Sequence, residues 1–512
     1  MNTISFCIVA AIVVYLLIML AIGFIFSKGN NSSGDFYLGG RKMGPIVTAM
    51  SAEASDMSSW LLMGLPGVAY LSGLADPAWT AIGLGVGTYL NWLFVAKRLR
   101  RYSSNLGAIT VPEFFSKRFH DDRNVLSGIA GLIIVIFFIP YTASGFAACG
   151  KLFYSLFEID YVVAMVIAAV IIAAYTIMGG FKAVCTTDLI QSIVMTIALI
   201  TIVIYGVNNA GGIDAVMDNA RSLAGYWSMT MTHNAADGTS SSYGVLTIVS
   251  TAAWGLGYFG MPHILLRFMA IKDEKKLKVS RRVATIWVFI AMGIAIFIGA
   301  IGLAMTKVGT MEALADSETI IPVLAGQIGQ NGVFFALLAG IILAGILAAT
   351  MSTADSQMLA AASGVSQNIV VEFLGIKLSN RKNVLIARIT IVVISVIAVF
   401  LALDPESSVF KIVSFAWAGF GGAFGAVMLL ALFWKRMNKW GALAGMLTGG
   451  AMVFIWKFLV RPLGGVLDIY ELLPAFIISL IFCVVVSLLT KAPSQEIIEE
   501  FETAKIKGDL KA

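Results

Sequence analysis

Residues 51–60, SAEASDMSSW, place two carboxylates, Glu53 and Asp56, among four serines. The flanking residues 46–50 and 61–70 are almost wholly apolar, so the acidic pair stands inside a segment suited to a lipid environment. An ionisable side chain at bilayer depth costs a few kcal/mol or more and usually serves a function there. We predict that this stretch is a break in a membrane helix at which a cation and a solute bind together.

A helix break would expose backbone carbonyl oxygens that have no intrahelical donor. Hard cations such as sodium prefer oxygen ligands, and carbonyls and hydroxyls provide them. The carbonyls of Ala54 and Met57 are therefore candidate ligands, with Asp56 close enough to supply negative charge or to hold the break open. The alternative is that Asp56 caps the following half-helix, in which case it would still organise the site.

A second polar stretch, residues 348–356, has the sequence AATMSTADS. Its spacing places Ala349, Ser352 and Thr353 on one face of a helix. One carbonyl and two hydroxyls could therefore approach an ion from the side opposite Ala54 and Met57. The alternative is that these hydroxyls bond only to their own helix or to a neighbouring one, as is common in membrane helices.

A third stretch, residues 254–263, combines three glycines and a proline in WGLGYFGMPH, which weakens a helix. Trp254 and Tyr258 lie four positions apart and could enclose a ring or a short aliphatic group, or simply pack between helices. N–H groups freed at the start of the next half-helix could hold a carboxylate. His263 and Arg267 fall near the predicted inner edge, where we expect His263 to pack or cap and Arg267 to anchor the span.

The elements that must position these stretches are membrane helices. The chain has 512 residues, of which 59% are hydrophobic and 12% charged, and its mean hydropathy is +0.90. Such a composition excludes an ordinary soluble protein, and apolar runs of about 20 residues recur along the whole length. We predict about thirteen spans, near residues 4–27, 45–71, 77–96, 125–149, 160–178, 186–208, 244–265, 283–306, 331–360, 385–403, 409–433, 440–460 and 471–490.

The basic residues predict the orientation of these spans. With the N-terminus outside, 29 of the 35 Lys and Arg residues fall in inner segments, as the positive-inside rule requires. If basic residues merely decorated loops, the outer loop 209–243 would not be nearly bare of them. We therefore expect the N-terminus outside and the C-terminus inside, and the net charge of +6 needs no nucleic-acid partner to explain it.

The interrupted spans near 45–71 and 244–265 each open a block of five spans. Paired interruptions of this kind point to the midplane site of an inverted-repeat transporter. We expect one transport domain, residues 1–512, and four free cysteines that pack as small hydrophobes. Its predicted parts are a first span and inner loop (1–44), two repeats (45–208 and 244–433), two extra spans (434–490) and a cytoplasmic tail (491–512) that is either a short solvated helix or a frayed segment.

Six sequence runs resemble one family over residues 35 to about 493. They are SAEASDMSSWLLMGLPG, FFIPYTASG, GGFKAVCTTD, WGLGYFGMPHILLRFM, ILAATMST and SFAWAGFGGAFG. In this order they closely resemble the sodium:solute symporter family, and within it the sodium/proline symporters. The resemblance implies an all-α, leucine-transporter-like core of five plus five helices in the cell membrane, which moves sodium and a solute inward together.

The resemblance also implies roles for individual residues. The implied sodium ligands are Ala54, Met57, Ala349, Ser352 and Thr353. The implied coupling residues are Asp56, Ser55, Glu53 and Arg41, of which Arg41 could equally be an ordinary inner anchor. The implied lining of the proline site is Ser58, Tyr141, Trp254, Tyr258 and Pro262. Asp188 and Asp355 could form a second cation site, although a salt bridge from Asp188 to Lys182 is the simpler alternative.

Several positions depart from the pattern of proline transporters. Glu53 and Ser59 stand where glycine is usual, Met261 replaces a glutamine and Asp355 replaces a serine. Glu53 could be protonated through desolvation, pair with a substrate ammonium or stand in for part of a cation. The solute is therefore expected to be proline or, alternatively, another small amino acid or a betaine.

Other classes of function fit the sequence less well. A cation channel would need a repeated filter sequence or a charged ring, and neither is present in the sequence. An enzyme would need a cluster of reactive groups, whereas His120, His233 and His263 are scattered along the chain. We expect sodium as the co-transported ion, a small zwitterion and membrane lipid as the other partners, and no obligate protein partner.

Overall fold

The computed structural model describes residues 3–27, 32–405 and 407–505, which are almost entirely helical. Twenty-one α-helices follow one another in chain order. They are α1 Thr3–Ser27, α2 Ser33–Leu38, α3 Pro45–Asp56, α4 Leu65–Ser72, α5 Ala75–Leu90, α6 Ala96–Asn105, α7 Val111–Arg118, α8 Val125–Phe157, α9 Tyr161–Asn209, α10 Ile213–Ser222, α11 Val245–Ala252, α12 Pro262–Ala270, α13 Leu277–Val308, α14 Ile320–Gly329, α15 Val333–Ser363, α16 Asn380–Leu401, α17 Val409–Phe420, α18 Ala426–Phe433, α19 Lys439–Ile455, α20 Leu472–Leu489 and α21 Gln495–Thr503.

Shorter segments join or extend these helices. The 3₁₀ segments are Gly39–Arg41, Ala253–Phe259, Glu274–Lys276, Ser317–Thr319, Arg461–Leu463 and Gly465–Leu467. The π-helical segments are Trp60–Gly64, Asn91–Val95, Gly364–Phe373, Gly421–Gly425 and Trp456–Val460. Two short strands, β1 Met231–His233 and β2 Ser240–Ser242, pair antiparallel in the loop that precedes α11.

Many of the helices are long and apolar enough to cross a bilayer. Among the described residues nine helices meet that condition, and the bent pair Val245–Phe259 and Pro262–Ala270 would make a tenth. Helix α1 is one of them, and its Phe6, Leu17 and Phe24 side chains are 60%, 58% and 60% exposed. Such surfaces suit lipid, in which backbone groups must be satisfied inside the helix itself. The protein is therefore a multi-pass integral membrane protein.

Helix α9 is too long to be a single straight span. Its 49 residues would extend about 73 Å at 1.5 Å per residue, more than twice the roughly 30 Å hydrocarbon core. Gly180 interrupts it with φ 63° and ψ −177°, a conformation that a glycine adopts without strain. The predicted spans 160–178 and 186–208 both lie in this helix, one on each side of the interruption.

The predicted break in the first polar stretch is present. Helix α3 begins with Pro45 at its first position and ends at Asp56, and Met57 then leaves helical geometry with φ −80° and ψ 62°. The chain resumes as a π-helical turn at Trp60 and continues into α4. A polar segment therefore separates two helical halves within an otherwise apolar run.

The third stretch is also interrupted. A 3₁₀ segment follows α11, Met261 is extended with φ −72° and ψ 108°, and the axis bends by 45° before α12 begins at Pro262. Glycine allows close packing here: a Cβ on Gly255 would lie 2.1 Å from the Gly83 carbonyl oxygen. A Cβ on Gly257 would lie 1.9 Å from the Trp417 ring nitrogen, so neither position has room for a side chain.

Helix α15 carries the second stretch through the centre of the molecule. It packs against α1, α3, α8 and α9, and residues 342–363 are all buried. All four cysteines are free, as predicted. The tail helix α21 forms as expected, but it is not fully solvated, because Phe501 is buried beneath the guanidinium groups of Arg98 and Arg118. Residues 506–512 of the predicted tail lie outside the described residues.

Candidate functional site

The helix break and α15 meet through direct hydrogen bonds. The Ser352 hydroxyl donates to the Ala54 carbonyl at 2.8 Å and to the Ala349 carbonyl at 3.1 Å. The Thr353 hydroxyl donates to the Ala349 carbonyl at 3.1 Å. Four of the five predicted sodium-binding oxygens are thus brought together, while the fifth residue, Met57, lies where α3 ends. Thr353 bonds only to its own helix, whereas Ser352 also reaches across to α3.

The Asp56 backbone is fixed from two sides. Its carbonyl accepts the indole N–H of Trp60 at 3.0 Å and the hydroxyl of Tyr141 at 3.3 Å. At the start of the next helical segment, the N–H of Trp60 is bonded at 3.4 Å to the Ser58 hydroxyl and not to the Asp56 carboxylate. The Asp56 carbonyl therefore joins the end of α3 to Trp60 and Tyr141, and the segment that starts at Trp60 has no side-chain cap at Ser59.

The Asp56 carboxylate faces the second break. Asp56 is 2% exposed and Tyr258 is fully buried, and the two side chains are close enough to interact electrostatically. Neither the Tyr258 hydroxyl nor Asp56 Oδ1 completes a hydrogen bond of normal geometry with a described residue. The Tyr258 carbonyl accepts the side-chain amide of Asn91 at 2.9 Å, which holds this segment in place. Buried polar atoms that lack such partners are unusual and mark places where an ion, water or ligand binds.

Glu53, the other acid of the first stretch, bonds to α5 and to the segment that follows α5. Its Oε1 accepts the Thr88 hydroxyl and the Trp92 indole N–H, each at 2.9 Å, and the residue is fully buried. Thr88 belongs to α5 and Trp92 to the π-helical segment that follows it. Glu53 thus joins the broken helix to its neighbour, a contact that the sequence could not show.

Aromatic side chains cover the break on one side. The Trp254 ring stacks on Tyr470 with centroids 5.2 Å apart, and it also lies 6.0 Å from Trp60 and 5.5 Å from Phe410. The Trp417 indole N–H donates to the Trp254 carbonyl at 2.8 Å. The sequence motifs contained Trp60 and Trp417, but their residue type alone did not distinguish them from ordinary core aromatics.

A cavity of about 890 Å³ opens above these rings. Trp254, Phe410 and Tyr470 line it, together with the exposed residues Lys411 and Asp468. Of the five residues predicted to line the solute site, only Trp254 borders this cavity. The other four residues are buried and do not line the cavity: Ser58, Tyr141, Tyr258 and Pro262. The rings of Trp254, Phe410 and Tyr470 lie between the cavity and the break.

One buried acid closes the edge of this cavity. Glu318 accepts hydrogen bonds from the Lys151 ammonium at 2.8 Å and the Ser408 hydroxyl at 3.0 Å. It also accepts the backbone N–H of Val409 at 3.2 Å, the first residue of α17. Nothing in the sequence points to Glu318, because an isolated acid in an apparent loop carries no signal until its partners are known.

The opposite face of the molecule is closed around Arg41. Its guanidinium donates to the carbonyls of Met269 at 2.7 Å, Ser103 at 3.1 Å and Ala108 at 2.5 Å. Nearby, Arg101 forms a bidentate salt bridge with Glu274 at 2.5 and 2.6 Å. These contacts tie together the ends of α6 and α12 and close this face of the molecule.

The predicted alternative for Asp188 was a salt bridge to Lys182, and that partner is wrong. Asp188 forms a fully buried salt bridge with Arg267 at 3.2 Å, while the Lys182 ammonium lies over the Phe26 ring at 5.5 Å. The prediction that Arg267 anchors the span at the membrane edge is also wrong, because Arg267 is only 1% exposed. Asp355 lies in the same region and accepts the Ser356 hydroxyl at 3.3 Å.

The fold and the site define a membrane transporter built on two broken helices, and comparison with known proteins places it in a family. The sequence signature described as "Sodium:solute symporter family" matches residues 36–449, and the chain belongs to that family. The osmoregulated proline transporter OpuE of Bacillus subtilis is 41% identical over 497 residues, covering 95% of this chain and 96% of the relative. The sodium/proline symporter of Haemophilus influenzae is 40% identical over 508 residues, with 96% of each chain covered.

Solved structures show the same fold. One is described as the substrate-bound outward-open state of a Na⁺-coupled sialic acid symporter; it superposes with a TM-score of 0.77 at 20% identity and covers 96% of this chain and 99% of its own. A nucleobase-cation-symport-1 family transporter in a closed conformation superposes with a TM-score of 0.55 at 12% identity, covering 93% and 99%. At these identities the likeness concerns the fold alone.

Proposed function

We propose that this protein is a sodium-coupled symporter that moves a small zwitterion, with L-proline as its main solute, into the cell by alternating access. Family membership supports transport, and the relatives named for proline at about 40% identity support the solute. The function requires no covalent chemistry, because transport needs only binding and a change of access.

The contact between Ser352 and the Ala54 carbonyl is the observation that carries the proposal. It brings a hydroxyl of α15 to a carbonyl freed at the end of α3, across 298 residues of sequence. A hydroxyl oxygen has two acceptor lone pairs, so it can turn its hydrogen away when a cation enters. We assign the sodium site to the carbonyls of Ala54, Met57 and Ala349 with the hydroxyls of Ser352 and Thr353.

The solute site follows from the groups next to this break. Tyr141 bonds to the Asp56 carbonyl, and Tyr258 faces the Asp56 carboxylate. Binding of sodium at the break would therefore fix the backbone that positions Tyr141, Tyr258 and Ser58. Trp254 and Pro262 supply apolar surface for a ring, and we assign these five residues to the solute site with Asp56 and Ser55 coupling it to sodium.

The topology supports a carrier that faces outward in this structure. We propose thirteen spans in the plasma membrane, with the N-terminus outside and the C-terminus inside. The interrupted helix α9 accounts for two spans. Helix α3 with α4, and helix α5 with the π-helical segment Asn91–Val95, account for two more beyond those that length alone identifies. In this orientation the cavity opens outward and Arg41 closes the inner face, so we assign Arg41 to the inner gate.

The energy source is the sodium gradient together with the membrane potential. A potential of 100 mV, inside negative, is worth about 2.3 kcal/mol per charge moved. One sodium ion per zwitterion therefore adds up to roughly 1.7 decades of accumulation from voltage alone. Such accumulation distinguishes a carrier from a channel, which would only equalise the solute.

Uptake of radiolabelled proline into proteoliposomes tests the function. We expect saturable accumulation under an inward sodium gradient and its collapse when sodium is equal on both sides. Accumulation that persists without sodium would contradict the coupling. Competition by a panel of unlabelled amino acids and betaines, measured in the same vesicles, decides the solute: stronger inhibition by another zwitterion than by proline would favour the alternative substrate.

A further inference from the structure

A second cluster of oxygens lies one turn further along α15 from the sodium site. Asp188 of α9, Ser51 of α3 and Ser356 of α15 meet there. The Ser51 hydroxyl donates to Asp188 Oδ2 at 2.5 Å, and the Ser356 hydroxyl donates to the Ser352 carbonyl at 2.8 Å. A carboxylate and two hydroxyls are the oxygen ligands that a second alkali cation would use.

The Arg267 guanidinium already occupies this place. Its Nη2 donates to Ser356 Oγ at 2.6 Å and to Asp188 Oδ2 at 3.2 Å, and its Nε donates to Ser51 Oγ at 3.0 Å. Ser51 Oγ, Ser356 Oγ and Asp188 Oδ2 are therefore bonded to one cation, while Asp188 Oδ1 and Asp355 Oδ2 have no hydrogen-bond partner among the described residues. Asp188 is fully buried and Arg267 nearly so, which means that water does not separate these charges.

The guanidinium is also held from behind. Its Nη1 donates to the His263 carbonyl at 2.8 Å, one turn back on α12, and its carbon lies 5.2 Å from the centroid of the Phe181 ring. A sodium ion could reach the three oxygens only after Arg267 had left a site in which it makes four hydrogen bonds. Arginine stays charged under all physiological conditions, so this positive charge is permanent.

We propose that Arg267 is a tethered cation that fills the place of a second sodium ion, so that the protein binds one sodium ion per solute. The proposal rests on the symport function proposed above. It makes Asp188 and Ser356 partners of Arg267 and not ligands of transported sodium, contrary to what the resemblance implied for Asp188. Asp355 lies beside this cluster and accepts the Ser356 hydroxyl at 3.3 Å.

Removing the guanidinium should create the missing sodium site. In Arg267→Gln, the carboxylates of Asp188 and Asp355 would lie near two hydroxyls without a cation. We expect equilibrium binding of ²²Na⁺ to the purified, solute-saturated protein in lipid nanodiscs to rise from one ion per chain to two. Arg267→Lys keeps a positive charge at the same position and is expected to bind one ion.

Two further variants control for indirect effects. The double variant Arg267→Gln with Asp188→Asn lacks both charges of the pair and should return to one bound ion. Asp188→Asn alone should also keep one ion, because in this proposal Asp188 does not bind sodium. This variant tests the proposal even if Arg267→Gln fails to fold, and size-exclusion profiles identify variants that fold.

The outcomes separate this inference from the function on which it rests. Two ions bound to the unaltered protein, or loss of the bound ion in Asp188→Asn, would overturn the tethered cation but leave symport intact. One ion in a folded Arg267→Gln protein would also overturn it. No sodium bound to the unaltered protein would overturn the proposed symport itself, and this inference with it.

Discussion

Two clusters of oxygen atoms lie one helical turn apart on α15, and they differ in charge. The cluster around Ser352 consists of backbone carbonyls and hydroxyls that bond to one another. The cluster around Ser356 contains Asp188, and a permanent cation, Arg267, occupies it. Two successive turns of α15 thus carry a serine each. The cluster at Ser352 contains no fixed cation, whereas the cluster at Ser356 contains Arg267.

This difference teaches how a carrier can bind an ion and still release it. Neutral oxygens hold sodium without a full opposite charge, so the ion can leave once the inner face opens. A buried carboxylate without a partner would cost several kcal/mol, and a charged partner with good hydrogen-bond geometry offsets much of that cost. On the proposed assignment, the protein uses neutral ligands where an ion comes and goes, and a salt bridge where α12 is joined to α3, α9 and α15.

The largest effect on uptake is expected at Asp56, where the first helix break faces Tyr258 of the second. Asp56→Asn should reduce sodium-driven uptake about 100-fold, equivalent to about 2.7 kcal/mol, because it removes the charge that faces Tyr258 beside the neutral cluster. Initial rates in proteoliposomes measure this. Asp121→Asn is the matched control: Asp121 is also buried, and it caps α8 through the Leu126 N–H at 2.8 Å, far from the break. Equal activity of both variants would show that Asp56 has no part in coupling.

The next effect concerns the neutral cluster itself. Ser352→Ala combined with Thr353→Ala should raise the sodium concentration for half-maximal uptake by about tenfold or more, a loss of about 1.4 kcal/mol in ion binding. Thr350→Ala provides the control, because the Thr350 hydroxyl is buried in the same helix but donates to the Ile346 carbonyl of that helix, at 3.0 Å. An unchanged sodium dependence in the double variant would remove the sodium site from α15.

The charged cluster should respond in stability and not in sodium dependence. Ser356→Ala removes a hydrogen bond to a buried guanidinium, a type of bond worth about 1.5–3 kcal/mol. We expect a lower midpoint in thermal unfolding without sodium, measured by tryptophan fluorescence, while the half-maximal sodium concentration stays the same. A sodium dependence shifted as far as that of the Ser352 and Thr353 variant would erase the distinction between the clusters.

The smallest effect is expected at Glu53. Glu53→Gln keeps a side-chain oxygen that can accept from both Thr88 and Trp92, so uptake and the panel of competing solutes should stay unchanged. Glu53→Leu leaves both donors unsatisfied, at a cost of about 1–3 kcal/mol, and should lower the thermal midpoint. An altered solute panel in Glu53→Gln would instead show that Glu53 contacts the substrate.

Much of the site could be predicted because its signals are local. A polar run between apolar runs predicted the break after Asp56, and glycine with proline predicted the interruption before Pro262. The spacing of Ala349, Ser352 and Thr353 predicted a shared helical face. Helix length is a poorer guide to the number of spans. The predicted spans 160–178 and 186–208 fall in one helix, α9, which is interrupted at Gly180.

The errors arose where a partner lies far away in sequence. Lys182 was the nearest base to Asp188 along the chain, but the salt bridge forms with Arg267, 79 residues away. Arg267 follows an apolar run and therefore looked like a residue at the membrane edge. Its burial depends on three other helices that supply oxygens for its donors, and no pattern within residues 262–270 reveals them.

The sequence by itself determined that this is a membrane protein, where its helices break, and to which family it belongs, because hydropathy, helix-breaking residues and motifs are properties of neighbouring residues. Only the tertiary structure decided which oxygens meet, that Glu53 joins α5, that Arg267 fills the charged cluster, and which face is open. Those features depend on contacts between helices separated by tens to hundreds of residues, and the packing of the whole bundle selects them.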